Sequence, residues 1–209
     1  MRTGRGFERL VNFTDAVIAI AVTLLVLPLV EIPQELGEGE HLSEVFADHR
    51  AEFGAFALSF LVIWVLWLAH HHTMEYFKGY DSTLMRLHMI WLFTIVTLPF
   101  STQLLSTQDN SDGQVPLYVG TLFLSSLILL GIVRQGRRRH ELLHADRPEV
   151  QDWLSRWPSF YSAAVLGISF VLSPFFPTPA LFVLLLLLFE SVADRITARV
   201  TGRPASTEV

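Results

Sequence analysis

Hydrophobic and polar positions along this chain are segregated rather than interleaved. Apolar blocks occupy residues 13–30, 53–73, 84–105, 116–133, 160–176 and 180–193, and nearly all the charge lies between them. A soluble amphipathic helix repeats its polar residues every three or four positions, and a half-buried strand every second one. The blocks follow neither period. About 20 mostly apolar residues in helical conformation cross a hydrocarbon core. The pattern therefore predicts an all-α integral membrane protein, with six transmembrane helices in one unit spanning 1–209. The last two blocks are short, and Ser173-Pro174-Phe175-Phe176-Pro177-Thr178-Pro179 between them predicts a tight hairpin. One broken or re-entrant segment is the other reading of that stretch.

Charge orients the six blocks. The first connection carries Glu31, Glu35, Glu38, Glu40, Glu44, Asp48 and Glu52 against Arg50, and the third carries Asp109 and Asp112 with no base. Basic residues mark the alternate connections: Arg2, Arg5 and Arg9 before the first block and Lys78 in the second loop. Arg134, Arg137, Arg138, Arg139, Arg147 and Arg156 lie in the fourth, and Arg195, Arg199 and Arg203 in the tail. Cytoplasmic loops are enriched in Lys and Arg, so both termini are expected in the cytoplasm of a multi-pass plasma-membrane protein. The first block follows three arginines, as a signal peptide would. It is long, contains Asp15, lacks a convincing cleavage site and fits the alternation only if retained.

Composition narrows the class further. Of 209 residues 51% are hydrophobic and 17% charged, where a soluble domain would have roughly a quarter charged. There is no cysteine, which removes disulfides and thiolate metal sites. The one basic run, at 134–139, directly follows an apolar block, which favours a membrane surface over nucleic acid.

Ionisable residues inside a membrane are costly and mark functional candidates. Asp15 lies near the start of the first block, His70, His71 and His72 at the end of the second, and Glu190 and Asp194 at the end of the last. Antiparallel threading puts these acids and imidazoles at one depth. Asp15 and at least one of His70 and His71 are expected in a buried hydrogen-bonded network, whereas His72, Glu190 and Asp194 are expected to snorkel to water. Three consecutive histidines on a helix point about 100° apart and cannot share one ion, so no metal site is expected.

The first block has a pattern of its own. At about 100° per residue, Ile20, Thr23, Leu24 and Leu27 form a stripe about 100° wide, with Asp15 near the opposite side. Any apolar helix yields such a stripe, so the angles alone assign it no role. Pro28 deprives the Leu24 carbonyl of its helical partner and predicts a bend at the outer end.

Several of these residues recur in a recognisable signature. Arg9-Leu10-Val11-Asn12-Phe13-Thr14-Asp15 resembles the Arg-x-x-x-Phe-Ser-Asp motif of the endosomal/lysosomal transmembrane potassium channel family and its bacterial homologues. Trp67-Leu68-Ala69-His70-His71 is similar to that family's Trp-x-x-His pattern, and Leu98-Pro99-Phe100 to its Leu-Pro-Phe stretch. The resemblance covers the first three blocks, about half the chain. Thr14 replaces the usual serine, and His88 stands where an asparagine is expected. The resemblance implies a homotetramer whose first helices line a central pore for potassium, with no carbonyl selectivity filter and no cofactor. Carried over by position, Ile20, Leu24 and Leu27 line the pore and gate it, and Thr23 contributes selectivity. Arg9, Phe13, Thr14 and Asp15 form a cytoplasmic packing network with Trp67, His70 and His71.

Rival functions have thinner support. A secondary transporter would need a midplane polar site with broken helices, at which only the proline-rich hairpin and Ser125-Ser126 hint. Proton conduction through Asp15 and His70 or His71 is a second alternative. No hydrolase or metalloprotease motif is present, so no enzyme activity is expected.

Overall fold

The computed structural model describes residues 4–35, 42–106, 113–155 and 161–189. The expectations placed on Arg2, Glu38, Glu40, Asp109, Asp112, Arg156, Glu190, Asp194 and the tail arginines fall outside these residues. Among the described residues every regular element is helical: α1 (Gly4–Leu24), α2 (Leu27–Glu35), α3 (Leu42–Asp48), α4 (Arg50–Glu75), α5 (Ser82–Ser106), α6 (Gln114–Arg138), α7 (Pro148–Ser155), α8 (Tyr161–Leu172) and α9 (Pro177–Leu184). Four stretches are long and apolar enough to cross a membrane: Arg5–Ile32, Arg50–Glu75, Ser82–Ser106 and Gln114–Arg138. They contain the first four predicted blocks. The fifth and sixth correspond to shorter apolar helices, Tyr161–Leu172 and Pro177–Leu187.

The first block is interrupted. Pro28 has no N–H to give the Leu24 carbonyl, and the chain turns at Leu25 and Val26. Their N–H groups bond three residues back, to Val22 and Thr23, each at 3.3 Å. α2 restarts with Leu29 and Val30 bonding the Val26 carbonyl. The expected bend is thus a break, placed one turn before the proline because that is where the missing donor is felt. At the other extreme, α6 runs beyond its apolar block to include Arg134, Arg137 and Arg138. There the Arg137 guanidinium lies 4.6 Å from the Trp153 ring centroid and donates to the Trp153 and Leu154 carbonyls, so α7 closes over the end of α6. The proline-rich stretch forms a hairpin, in which Ser169 Oγ donates to the Ala180 carbonyl at 2.6 Å and ties α8 to α9.

The core lies between α4, α5 and α6, around Trp91, Tyr118, Ile63, Leu66, Ile95, Leu98, Leu122 and Ile132, all essentially inaccessible. Short-range pairing closes one end of it. Lys78 N–H donates to the Leu142 carbonyl at 2.8 Å and His144 N–H to the Tyr76 carbonyl at 3.0 Å, bridging the α4–α5 connection to the segment after α6. Phe77 fills the space beneath, stacked against Phe7 and over Gly136.

Candidate functional site

α1 has two unlike faces. Phe7, Leu10, Thr14, Ile18, Ala21 and Leu25 are buried, a spacing of three and four that lays one stripe against the other helices. The opposite face is open: Ile20 is 59% exposed and Leu24 40%, with Thr23 between them, whereas Leu27, expected on the same stripe and 54% exposed, lies beyond the break at the start of α2. Thr23 Oγ1 donates to the Ile20 carbonyl at 2.8 Å. Its one hydrogen is used within the helix, so the oxygen presents lone pairs outward.

The motif residues divide between the faces. Thr14 is fully buried and bonds the Leu10 carbonyl at 2.9 Å. Asp15 Oδ1 accepts from Trp67 Nε1 at 3.0 Å, which joins α1 to α4 by a charge-assisted bond. His71 stacks on Trp67 with centroids 5.1 Å apart, and its Nε2 lies 3.8 Å from Glu75. Phe13, 53% exposed, and Arg9 lie on the open face instead. The structure therefore brings Asp15, Trp67 and His71 together and leaves Arg9 and Phe13 outside that cluster within a single chain.

His70 belongs to a different group. One helical step turns it away from Trp67 and into the core, where Nε2 lies 3.2 Å from His88 Nε2 and its ring stacks on Trp91 at 4.5 Å. His88 Nδ1 bonds the Leu84 carbonyl at 2.9 Å, and His88 Nε2 is 3.3 Å from Met74 Sδ. His72 is exposed. Sequence reasoning marked His88 as a departure but missed Met74 and Trp91. The spacing of His70 to Met74, and of His88 to Trp91, was available as a same-face signal; the rotation that turns those faces towards each other was not.

Also missed was a chain of hydroxyls nearer the other end of the bundle. Tyr118 OH lies 3.0 Å from Ser59 Oγ, which is 2.8 Å from Thr102 Oγ1, and Thr102 in turn reaches the Leu98 carbonyl at 2.8 Å. A carbonyl can only accept. The hydrogens can therefore satisfy every member if they run one way, from Tyr118 to Ser59 to Thr102 to Leu98. The chain links α6, α4 and α5. Ser125 is buried with no hydrogen-bond partner among the described residues, and Ser126 is buried beside it.

These features describe a bundle of apolar spanning helices with internal polar layers and an uncovered face on α1, the architecture of a helical membrane protein. A crystal structure described as that of a lysosomal potassium-selective channel TMEM175 homologue from Chamaesiphon minutus shares this fold. It matches with a TM-score of 0.70 at 22% identity, over 90% of this chain and 98% of that one. Residues 9–99 match the family described as Endosomal/lysosomal potassium channel TMEM175. This stretch, from Arg9 of the motif to Pro99, is the part of the chain that is similar to that family, whose members here are named as ion channels.

Among its relatives, a protein of Streptomyces collinus named as a potassium channel is 34% identical over half of each chain. One of Chamaesiphon minutus, also named as a potassium channel, is 26% identical over 80% of this chain and 92% of its own. The human protein named as an endosomal/lysosomal proton channel is 29% identical over 77% of this chain and 31% of its own. The chain thus spans half or less of the Streptomyces and human relatives' length.

Proposed function

We propose that this chain is one subunit of a potassium-conducting channel, a homotetramer in the plasma membrane whose pore is lined by the open face of α1. The observation that carries this reading is the two-faced character of that helix. Its buried stripe is satisfied by the rest of the chain, while Ile20, Thr23, Leu24 and Leu27 are left without cover. The potassium-channel names borne by two relatives point the same way. The alternation of loop charges supports six spans with both termini in the cytoplasm, and in this reading the shorter apolar helices Tyr161–Leu172 and Pro177–Leu187 are the fifth and sixth.

Four copies of the stripe around one axis would form rings of Ile20, Leu24 and Leu27. An ion entering such a ring must shed water, and an isolated charge in low dielectric costs on the order of tens of kcal/mol. A closed ring is therefore a dewetted gate, and widening it enough to admit water opens it. Thr23 adds the polar contact. With its hydrogen held by the Ile20 carbonyl, each hydroxyl offers oxygen lone pairs to a partly dehydrated cation. Asp15, Trp67 and His71 hold the middle of α1 against α4, which sets the angle at which the stripe meets the axis.

Recording of the purified protein in planar bilayers tests this reading. The expected current reverses at the potassium equilibrium potential, and Ile20→Asn, Leu24→Asn or Leu27→Asn raises conductance or relaxes selectivity. Reversal that ignores the potassium gradient excludes potassium conduction, and failure of all three substitutions excludes this stripe as the pore. Proton conduction is the second reading, favoured by the human relative's name as a proton channel. It predicts current that follows the proton gradient when potassium is absent.

A further inference from the structure

His70 and Met74 bring an imidazole nitrogen and a thioether sulfur to 3.2 and 3.3 Å from His88 Nε2 in the core, with too few hydrogens to satisfy the three atoms. The tautomers follow from the geometry. The Leu84 carbonyl accepts, so His88 Nδ1 carries hydrogen and its Nε2 is a bare lone pair. The 3.2 Å contact then requires His70 Nε2 to carry the shared hydrogen. His88 Nε2 also faces Met74 Sδ at 3.3 Å, and neither atom has a hydrogen to offer the other. Finally, His70 Nδ1 is buried with no partner among the described residues. His70, His88 and Met74 are all buried, at 0%, 0% and 4% exposure.

We propose that His70 Nε2, His88 Nε2 and Met74 Sδ form a three-coordinate site for a soft monovalent cation, Cu(I) physiologically and Ag(I) as its surrogate. His70 and Met74 stand one turn apart on the same face of α4, and His88 meets them from α5. Imidazole and thioether donors together select Cu(I) over harder ions. The neutral donor set also favours a single charge, since a divalent ion here would leave two uncompensated charges in the core. Closure needs the observed separations to widen by only a few tenths of an ångström, within the reach of a flexible methionine. On binding, the hydrogen on His70 Nε2 transfers to Nδ1 of the same ring, so both imidazoles remain neutral and no electron moves. The His88 Nδ1–H bond to the Leu84 carbonyl is the outer contact that keeps a ligating histidine in the right tautomer.

No three His, Asp or Glu side chains among the described residues converge on a metal position; this cluster escapes that pattern because its third donor is sulfur. The consecutive histidines do not share an ion here either. Half-exposed His71 and exposed His72 lie at the same end of α4, where they can receive a cation before the buried group does.

The test is anaerobic titration of the full chain in nanodiscs with Ag(I), and with Cu(I) held reduced by ascorbate, followed by X-ray absorption at the copper edge. The expected result is one ion per chain at high affinity, with two nitrogen scatterers and one sulfur. Met74→Leu, which keeps the packing volume, should remove the sulfur scatterer and weaken binding about tenfold or more. His88→Asn should remove one imidazole scatterer. A wild-type spectrum without sulfur, or Met74→Leu binding with unchanged affinity, overturns the proposal and assigns the ion to exposed histidines. Met74→Leu carries the test if His88→Asn does not fold. Potassium currents are read in parallel, so that loss of this site is distinguishable from loss of the channel.

Discussion

At the scale of single residues, the hydroxyl chain and the Phe77 pocket show how direction and volume decide the cost of a change. In the chain from Tyr118 through Ser59 to Thr102 the members are not equivalent. Tyr118→Phe removes a donor and leaves Ser59 still able to donate to Thr102. Ser59→Ala strands the buried Tyr118 hydroxyl, fully inaccessible in this structure. An unsatisfied buried donor costs about 1–3 kcal/mol, against about 1 kcal/mol for a lost bond. Ser59→Ala is therefore expected to lower the unfolding midpoint in detergent more than Tyr118→Phe. At Gly136, a β-carbon would stand 2.5 Å from Phe77 Cζ and 3.1 Å from Cε1. The Phe77 ring is 2% exposed and stacked on Phe7, with no open space to enter. Gly136→Ala is expected to destabilise by about 1–3 kcal/mol, the usual cost of overpacking, read as a lowered melting temperature of the reconstituted protein.

At the scale of elements, α1 and α2 are the pair whose relation matters most to conduction. The break between them has one local cause, the missing N–H of Pro28, and the three-residue bonds at Leu25 and Val26 are its trace. Pro28→Ala restores a donor to the Leu24 carbonyl, so that a continuous helix no longer meets the cost of about 3 kcal/mol that proline imposes on a helix interior. The expected outcome is one continuous helix through Ile32. The chain has no cysteine, so spin labels can be introduced singly at positions 16 and 31. Their separation, in labelled chains diluted among unlabelled ones, should lengthen in Pro28→Ala. An unchanged distance would assign the break to packing against α4. The length of α6 has the opposite lesson: backbone hydrogen bonds carry a helix past the end of its apolar block, and Arg137 is accommodated by the Trp153 ring and backbone carbonyls.

At the scale of the whole molecule, charge is sorted by loop. Glu31, Glu44 and Asp48 lie between α1 and α4, and Glu52 in the first turn of α4. In the proposed channel this connection flanks the outer mouth, where negative charge concentrates cations. Replacing these four by Gln or Asn is expected to reduce single-channel conductance at low potassium. Near 1 M salt, where screening acts within about 3 Å, the difference should vanish. A reduction that persists at high salt would locate the effect in folding rather than in the field. The apolar surface left on α5, at Met89, Ile90, Phe93, Val96 and Phe100, is sorted in the same way. In the proposed channel this surface faces lipid, while the α1 stripe faces the pore.

Sequence alone determined the membrane class, the position of the apolar blocks, the presence of a proline-sensitive point in the first of them and the motif from Arg9 to Asp15. Those properties depend on length, hydropathy and backbone chemistry, which are local along the chain. The tertiary structure decided which of two adjacent histidines meets Trp67 and which meets His88. It also decided that Ser59, Thr102 and Tyr118 stand in one line and that Arg9 and Phe13 lie outside the Asp15 cluster. Each such pairing depends on the rotation and axial offset of one helix against another. A step of one residue turns a side chain by about 100°, so His70 and His71 occupy different environments although they are neighbours in sequence. Periodicity identifies the residues that share a face, and only packing determines what that face meets.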